Sequence, residues 1–150
     1  MNNPDRREIF TAFSAFAAMA AMMGEAQAQG ATTLSTSRVI KYADLPVHTF
    51  PNGGTQRKVM SGTLPTGEFI EVHESMLPPG QMPHPPHKHP NTEMLFIQNG
   101  TLEYLDAGKP VPTGPGDIVF SASNIMHGLK NVGTTDANYI VVSVGKMLKE

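Results

Sequence analysis

The residues that offer chemistry lie in one stretch, GQMPHPPHKHPNTEMLFIQNG, from Gly80 to Gly100. The chain has six histidines, and three of them, His84, His87 and His89, fall within six residues here, followed by Glu93. Neutral imidazole and carboxylate are good donors for divalent first-row metals. Two imidazoles two residues apart can grip one ion. If the chain from His87 to Glu93 is extended, residues 87, 89 and 93 share one face. A bend at Pro90 lets the carboxylate close on the same ion. The fourth ligand must then come from a neighbouring strand, and His127 is the best candidate. With no cysteine in the chain, thiolate sites and disulfides are excluded.

Positioning such a set requires a framework of strands. After a small, polar lead-in, short apolar or alternating runs recur, each closed by Gly, Pro or Asn. They predict strands at 38–42, 56–61, 68–77, 92–98, 101–105, 117–121, 127–132 and 138–145. Asn99-Gly100 signals a tight hairpin of type I′, and Gly133 to Asp136 a further turn. The Pro-Gly pairs at 79–80 and 115–116 introduce strands. Beyond the N-terminal segment no window has sustained helical periodicity. The expected class is all-β, a sandwich or barrel.

Gly80…His87-x-His89-x3-Glu93-x6-Gly100 resembles the first motif of the cupin superfamily, and Gly116-x5-Ala122-x-Asn124-x2-His127-x3-Asn131 resembles its second. The resemblance covers about residues 50 to 146. It implies a small single-domain, type-2 conserved barrel: a double-stranded β-helix, or jelly roll. It also implies that His87, His89, Glu93 and His127 are metal ligands at its centre. The sequence departs from the pattern in three places. Six residues rather than five separate Gly80 from His87, Ala122 stands for Pro, and Asn124 stands for Gly. Asn tolerates the left-handed conformation that the last position needs.

Three neutral imidazoles and one carboxylate around a divalent transition metal (Mn, Fe, Ni, Co, Cu or Zn) leave a net charge near +1. They also leave open positions for an anionic oxygen. One reading is a metal-dependent, dioxygenase-like enzyme, an oxidoreductase acting on a small anionic or phenolic compound, with Glu93 also accepting a proton. Another is a non-catalytic cupin in which the metal captures a small ligand or braces the barrel. A third is a metal-free, sugar-binding cupin. His84 lies off the motif and reads as a loop residue or a group beside the site. His73 shares a strand face with Glu71, Ser75 and Leu77, and that face points either into the barrel or out of it. His48 reads as surface. Met94 and Met126 neighbour ligands on extended chain, so they point away from the ion and fill gaps.

The first 28 residues read as an export signal. They contain paired Arg6-Arg7, an Ala-rich apolar run of about fifteen residues, shorter than the ~20 of a membrane span, and Ala26-Gln27-Ala28. The Arg pair resembles a twin-arginine signal. The expected organisation is therefore 1–28 signal, 29–49 lead-in, 50–146 barrel and 147–150 tail, with the protein periplasmic or secreted and no stable membrane anchor after cleavage. Net charge is −2, with no basic stripe, so nucleic acid is not an expected partner. The 92–98 strand is apolar on both faces, so its outer side needs a cover. A homodimer is expected.

Overall fold

The computed structural model describes residues 32–146, so the signal segment of residues 1–28 and the tail of residues 147–150 lie outside the described residues. Among the described residues nine strands form two antiparallel sheets. They are β1 (His48–Thr49), β2 (Thr55–Thr63), β3 (Phe69–Leu77), β4 (Thr92–Asn99), β5 (Leu102–Asp106), β6 (Lys109–Thr113), β7 (Ile118–Ser121), β8 (His127–Asn131) and β9 (Ala137–Gly145). The larger sheet runs β1-β2-β3-β9-β4-β7 and the smaller β6-β5-β8. The fold is an all-β jelly roll. Among the described residues no helix is long and apolar enough to cross a membrane.

Alternation places the core. Along β9, Ala137, Tyr139 and Val141 are buried while Asn138, Ile140 and Val142 are half-buried. Leu77, Leu95, Ile97 and Val119 join them from the larger sheet, and Leu102, Tyr104 and Leu129 from the smaller. Burying each large side chain contributes about 1.5–3 kcal/mol.

The ladder registers partition the inner face. Glu93 pairs with Ser121 on one side and Ser143 on the other, and Ser143 pairs with Glu71. This transverse row is polar. The next row, Val119–Leu95–Val141–His73, is largely apolar. One end of the barrel is thus built for polar chemistry and the other for packing.

Asn131 locks the apolar end. It is fully buried, yet its Nδ2 donates to the carbonyls of Leu77 (2.7 Å) and Thr135 (2.8 Å), while its Oδ1 accepts from Gly133 N (2.9 Å). A buried amide so satisfied costs little and ties β8 to the end of β3.

Several expected elements stand elsewhere. Residues 38–41 form no strand, because no neighbour pairs with them. A single 3-10 turn follows at Tyr42–Asp44, and Val39 remains 88% exposed. Asn99-Gly100 is not a hairpin. β4 and β5 lie in different sheets, and of the two residues only Gly100 has positive φ (91°), so the pair is a corner between sheets. The two-residue hairpin is Ala107-Gly108, with φ of 48° and 84°, joining β5 to β6. β6 itself, KPVPT, escapes sequence reading because it holds two prolines. They are tolerated because β6 is an edge strand, and alternate prolines leave donor gaps on one side only. By contrast, Gly80 (φ 75°) and Gly116 (φ 89°) sit where expected in Pro-Gly turns. These turns are closed by Gln81 N to Pro78 O and by Asp117 N to Gly114 O.

The corner at Gly100 is demanding. A Cβ there would lie 2.4 Å from Ala137 Cβ and 2.6 Å from its Cα, whereas one at Gly80 would meet nothing within 4 Å. Both residues have positive φ. Gly100→Ala is expected to cost about 2–4 kcal/mol, from conformational strain plus overpacking. Gly80→Ala should cost about 1 kcal/mol, from strain alone. Denaturant unfolding of the two variants checks both values. Equal losses would remove the close-approach argument.

Candidate metal centre

Two segments distant in sequence meet at one backbone pairing. His87 N donates to His127 O (2.9 Å), and His127 N donates to His87 O (2.8 Å). This isolated bridge ties the proline-rich loop to the first residue of β8. A second tie, Asn124 N to His89 O (2.8 Å), anchors the loop before β8. Asn124 carries a φ of 60° there, the left-handed conformation expected at the family's glycine position. His87 and His89 are therefore not on a strand, as the extended reading supposed. Only Glu93 is, at the second position of β4. The two histidines reach the same point because the loop is fastened to β8.

The result is a compact cluster. His87, His89 and His127 each offer a ring nitrogen, and these atoms lie within 4.8 Å of one another. Glu93 stands against two of them: its Oε1 lies 3.3 Å from His89 Nε2, and its Oε2 lies 3.6 Å from His127 Nε2. The rings are oriented by their far sides. His89 Nδ1 pairs with Asn91 O (3.0 Å) and His127 Nδ1 with Ile125 O (2.9 Å). A carbonyl only accepts, so each Nδ1 carries a hydrogen and each Nε2 is the nitrogen turned towards Glu93. Metal-binding histidines are commonly fixed by such outer contacts.

The donor set fits a cation. His127 Nε2 is buried without a hydrogen-bond partner, as is His87 Nδ1. A buried polar nitrogen without a partner is costly unless something fills the gap, and a cation between it and the Glu93 carboxylate would do so. Burial pushes the His87 ring below the ordinary histidine range. The neighbouring His84, His127 and His89 push the same way, while Glu93 opposes them. His87 is therefore neutral at pH 7, the form that can ligate.

Beside the cluster lies a cavity of about 270 Å³. Glu93, His127, His84 and His73 line it with Tyr104, Tyr139, Ser75 and Gln56, against an apolar wall that includes Leu95, Leu129 and Val141. The sequence left the direction of His73 open, and the ladder turns it inward. His84 is exposed, with its ring edge-on to His87 at a centroid distance of 4.2 Å. His48 is on the surface. The tyrosines were not singled out from sequence. Their inward alternation on β5 and β9 was legible, but not which face was inner. Burial pushes the Tyr139 hydroxyl up to about 12, against a smaller opposing effect from hydrogen bonding to Ser75.

Residues 73–143 match the cupin domain family. A 59-residue stretch is 36% identical to the oxalate-binding protein of Thermotoga maritima, covering 39% of this chain and 49% of that protein, so the match spans about half the length of that curated relative. Among solved structures, a predicted oxalate decarboxylase from Thermotoga maritima superposes with a TM-score of 0.58 at 25% identity, over 71% of this chain and 98% of that one. KdgF from Halomonas sp. gives a TM-score of 0.64 at 17% identity, over 75% and 96%. These likenesses support the cupin superfamily, and the three-histidine cluster is a site that can hold a metal ion.

Replacing His89 or His127 by Ala should lower metal affinity tenfold or more, while His84→Ala should leave metal content unchanged. Elemental analysis after dialysis measures this. Acid should act in the same direction as the ligand changes. The His87 ring, with its lowered proton affinity, is neutral above the ordinary histidine value of about 6.5. It gains a proton only as the pH falls through its own lower range. Bound metal should therefore persist at pH 7 and be lost progressively on acidification, in step with a fall in melting temperature. A metal content flat from pH 7 to about 4 would contradict histidine ligation.

Proposed function

Starting from a cupin barrel with an inward-facing imidazole triad, we propose that this protein is a metal-dependent enzyme. It carries out an oxygen-dependent oxidation of a small anionic or phenolic compound. His87, His89, Glu93 and His127 hold the ion. The observation that carries this reading is the pair of rings, His89 and His127, whose Nδ1 atoms are tied to backbone carbonyls so that both Nε2 atoms face Glu93 beside a cavity. A divalent transition metal at this point supplies a Lewis-acidic centre with positions open to an anionic oxygen.

The chain's own groups do the remainder. Glu93 has two oxygens facing two different imidazoles. Releasing one of them frees a carboxylate oxygen to accept the substrate's proton. Leu95, Leu129 and Val141 hold the apolar body of a substrate and keep water from it. Tyr104 is raised above its ordinary range by burial and stays protonated, so its hydroxyl remains available as a donor within the cavity.

A second reading, capture of a small ligand without turnover, is favoured by the likeness to the oxalate-binding protein of Thermotoga maritima. The two diverge in oxygen consumption. With metal-reconstituted protein and a panel of phenols and diketones, the enzyme reading expects oxygen uptake that is abolished in His89→Ala. Tight ligand binding with no uptake would decide for the second.

The proposal includes export, with residues 1–28 as the signal and the periplasm or exterior as the destination. Its support is the Arg6-Arg7 pair, the apolar run and the Ala26-Gln27-Ala28 site. It also includes a homodimer. The outer face of the larger sheet carries Phe120 (66% exposed) and Ile118 (62% exposed), directly paired with Met94 and Phe96, and continues through Ile140 and Val142. Adjacent exposed aromatic and aliphatic side chains are the usual mark of a contact surface. A sedimentation mass of two chains, falling to one in Phe120→Lys, is the expected result.

A further inference from the structure

The far side of the cavity carries its own polar device. His73 lies on β3, paired with Val141 on β9, which in turn pairs with Leu95 on β4. It therefore faces the cavity across an apolar floor from Glu93. Its Nδ1 is sealed from solvent without a hydrogen bond, and the nearest anionic oxygen is Glu71 Oε1 at 3.9 Å. The ring is one of the groups that line the cavity. Tyr139 and Ser75 stand one row further in, paired with each other across β3 and β9. Burial, the largest influence, holds the His73 ring below the ordinary histidine range, against the opposing fields of Glu71 and then Glu93, while His84 adds to the lowering. Lys58, opposite on β2, is exposed and does not line the cavity.

Charge bounds what this cavity can take. Among the described residues lining it there is no Lys or Arg. Building on the metal-centre reading, the ion with Glu93 leaves about one positive charge at one end only. A second carboxylate at the His73 end would be buried without a counter-charge, which is costly. A hydroxyl or carbonyl there would instead meet a neutral imidazole and a tyrosine hydroxyl. The cavity of about 270 Å³ lies at the small end for ligand pockets.

We propose that His73, supported by Tyr139, is the specificity-determining residue for the end of the ligand remote from the metal. It selects a small monoanion with an apolar body and a distal neutral hydroxyl or carbonyl, and it discriminates against dianions. His73 acts by hydrogen bonding to the ligand and not by holding the ion, so its loss leaves metal binding intact.

The test uses the full mature chain loaded with zinc, with metal content measured first and affinities by calorimetry. Benzoate, 3- and 4-hydroxybenzoate, isophthalate and terephthalate share one apolar body and differ in the distal group. At least one hydroxybenzoate should bind about tenfold tighter than benzoate, the worth of one well-made hydrogen bond. Neither dicarboxylate should bind tighter than benzoate. In His73→Phe the hydroxyl advantage over benzoate should shrink to about twofold or less, with zinc content unchanged. A second measurement needs no variant: the imidazole ¹⁵N resonances of His73 should move on adding the preferred hydroxybenzoate and stay put with benzoate.

The inference is overturned if a dicarboxylate binds tightest, if the hydroxyl advantage survives in His73→Phe, if the resonances do not move, or if zinc-loaded protein binds none of the probes. Failure to take up zinc at all would instead bring down the metal-centre reading, and this inference with it.

Discussion

The site depends on one small piece of backbone. The reciprocal hydrogen bonds between His87 and His127 join a loop that has no ladder of its own to a strand in the smaller sheet. Together with the bond from Asn124 N to His89 O, they fix the two imidazoles of the loop relative to the third. Glu93 comes from the larger sheet, so the cluster also spans the two sheets. A bound ion would add a further cross-link between the two sheets, which is how metal binding becomes folding stability.

The barrel around that bridge divides labour by row. Register brings Glu93, Ser121, Ser143 and Glu71 into a polar line, and brings Leu95, Val141 and Val119 into an apolar one. The polar line is tolerable because it borders a cavity and a cluster that can hold a cation. The apolar end holds the fold, with Leu77, Ile97, Leu102 and Ala137 buried and Asn131 satisfied among them. Stability and chemistry thus occupy opposite ends of one core, so the buried unpaired nitrogens at the site are carried by packing elsewhere.

The ligand candidates were legible because they obey local arithmetic. An HxH pair, a trailing acid and a lone histidine set in a second motif need no coordinates to be grouped. The proline-rich loop took a different route to the same meeting point than an extended strand would, since Pro85, Pro86 and Pro90 keep the chain off the ladder. Asn124 was legible too, because a left-handed turn admits few residues. Ala107-Gly108 was not. Alanine rarely adopts positive φ, and here the β5–β6 pairing imposes it.

What the sequence determined by itself was the class of the fold, most of its strands, and the grouping of four candidate ligands. Each follows from periodicity or spacing within a dozen residues, or from a motif whose order along the chain is enough. What only the tertiary structure decided was which face of each strand is inside, which strands are neighbours, and so where His73, Tyr104 and Tyr139 point. Alternation along a strand tells that two faces differ, but the assignment of inside and outside belongs to the partner strands. Those partners are set by contacts tens of residues apart that no local pattern records.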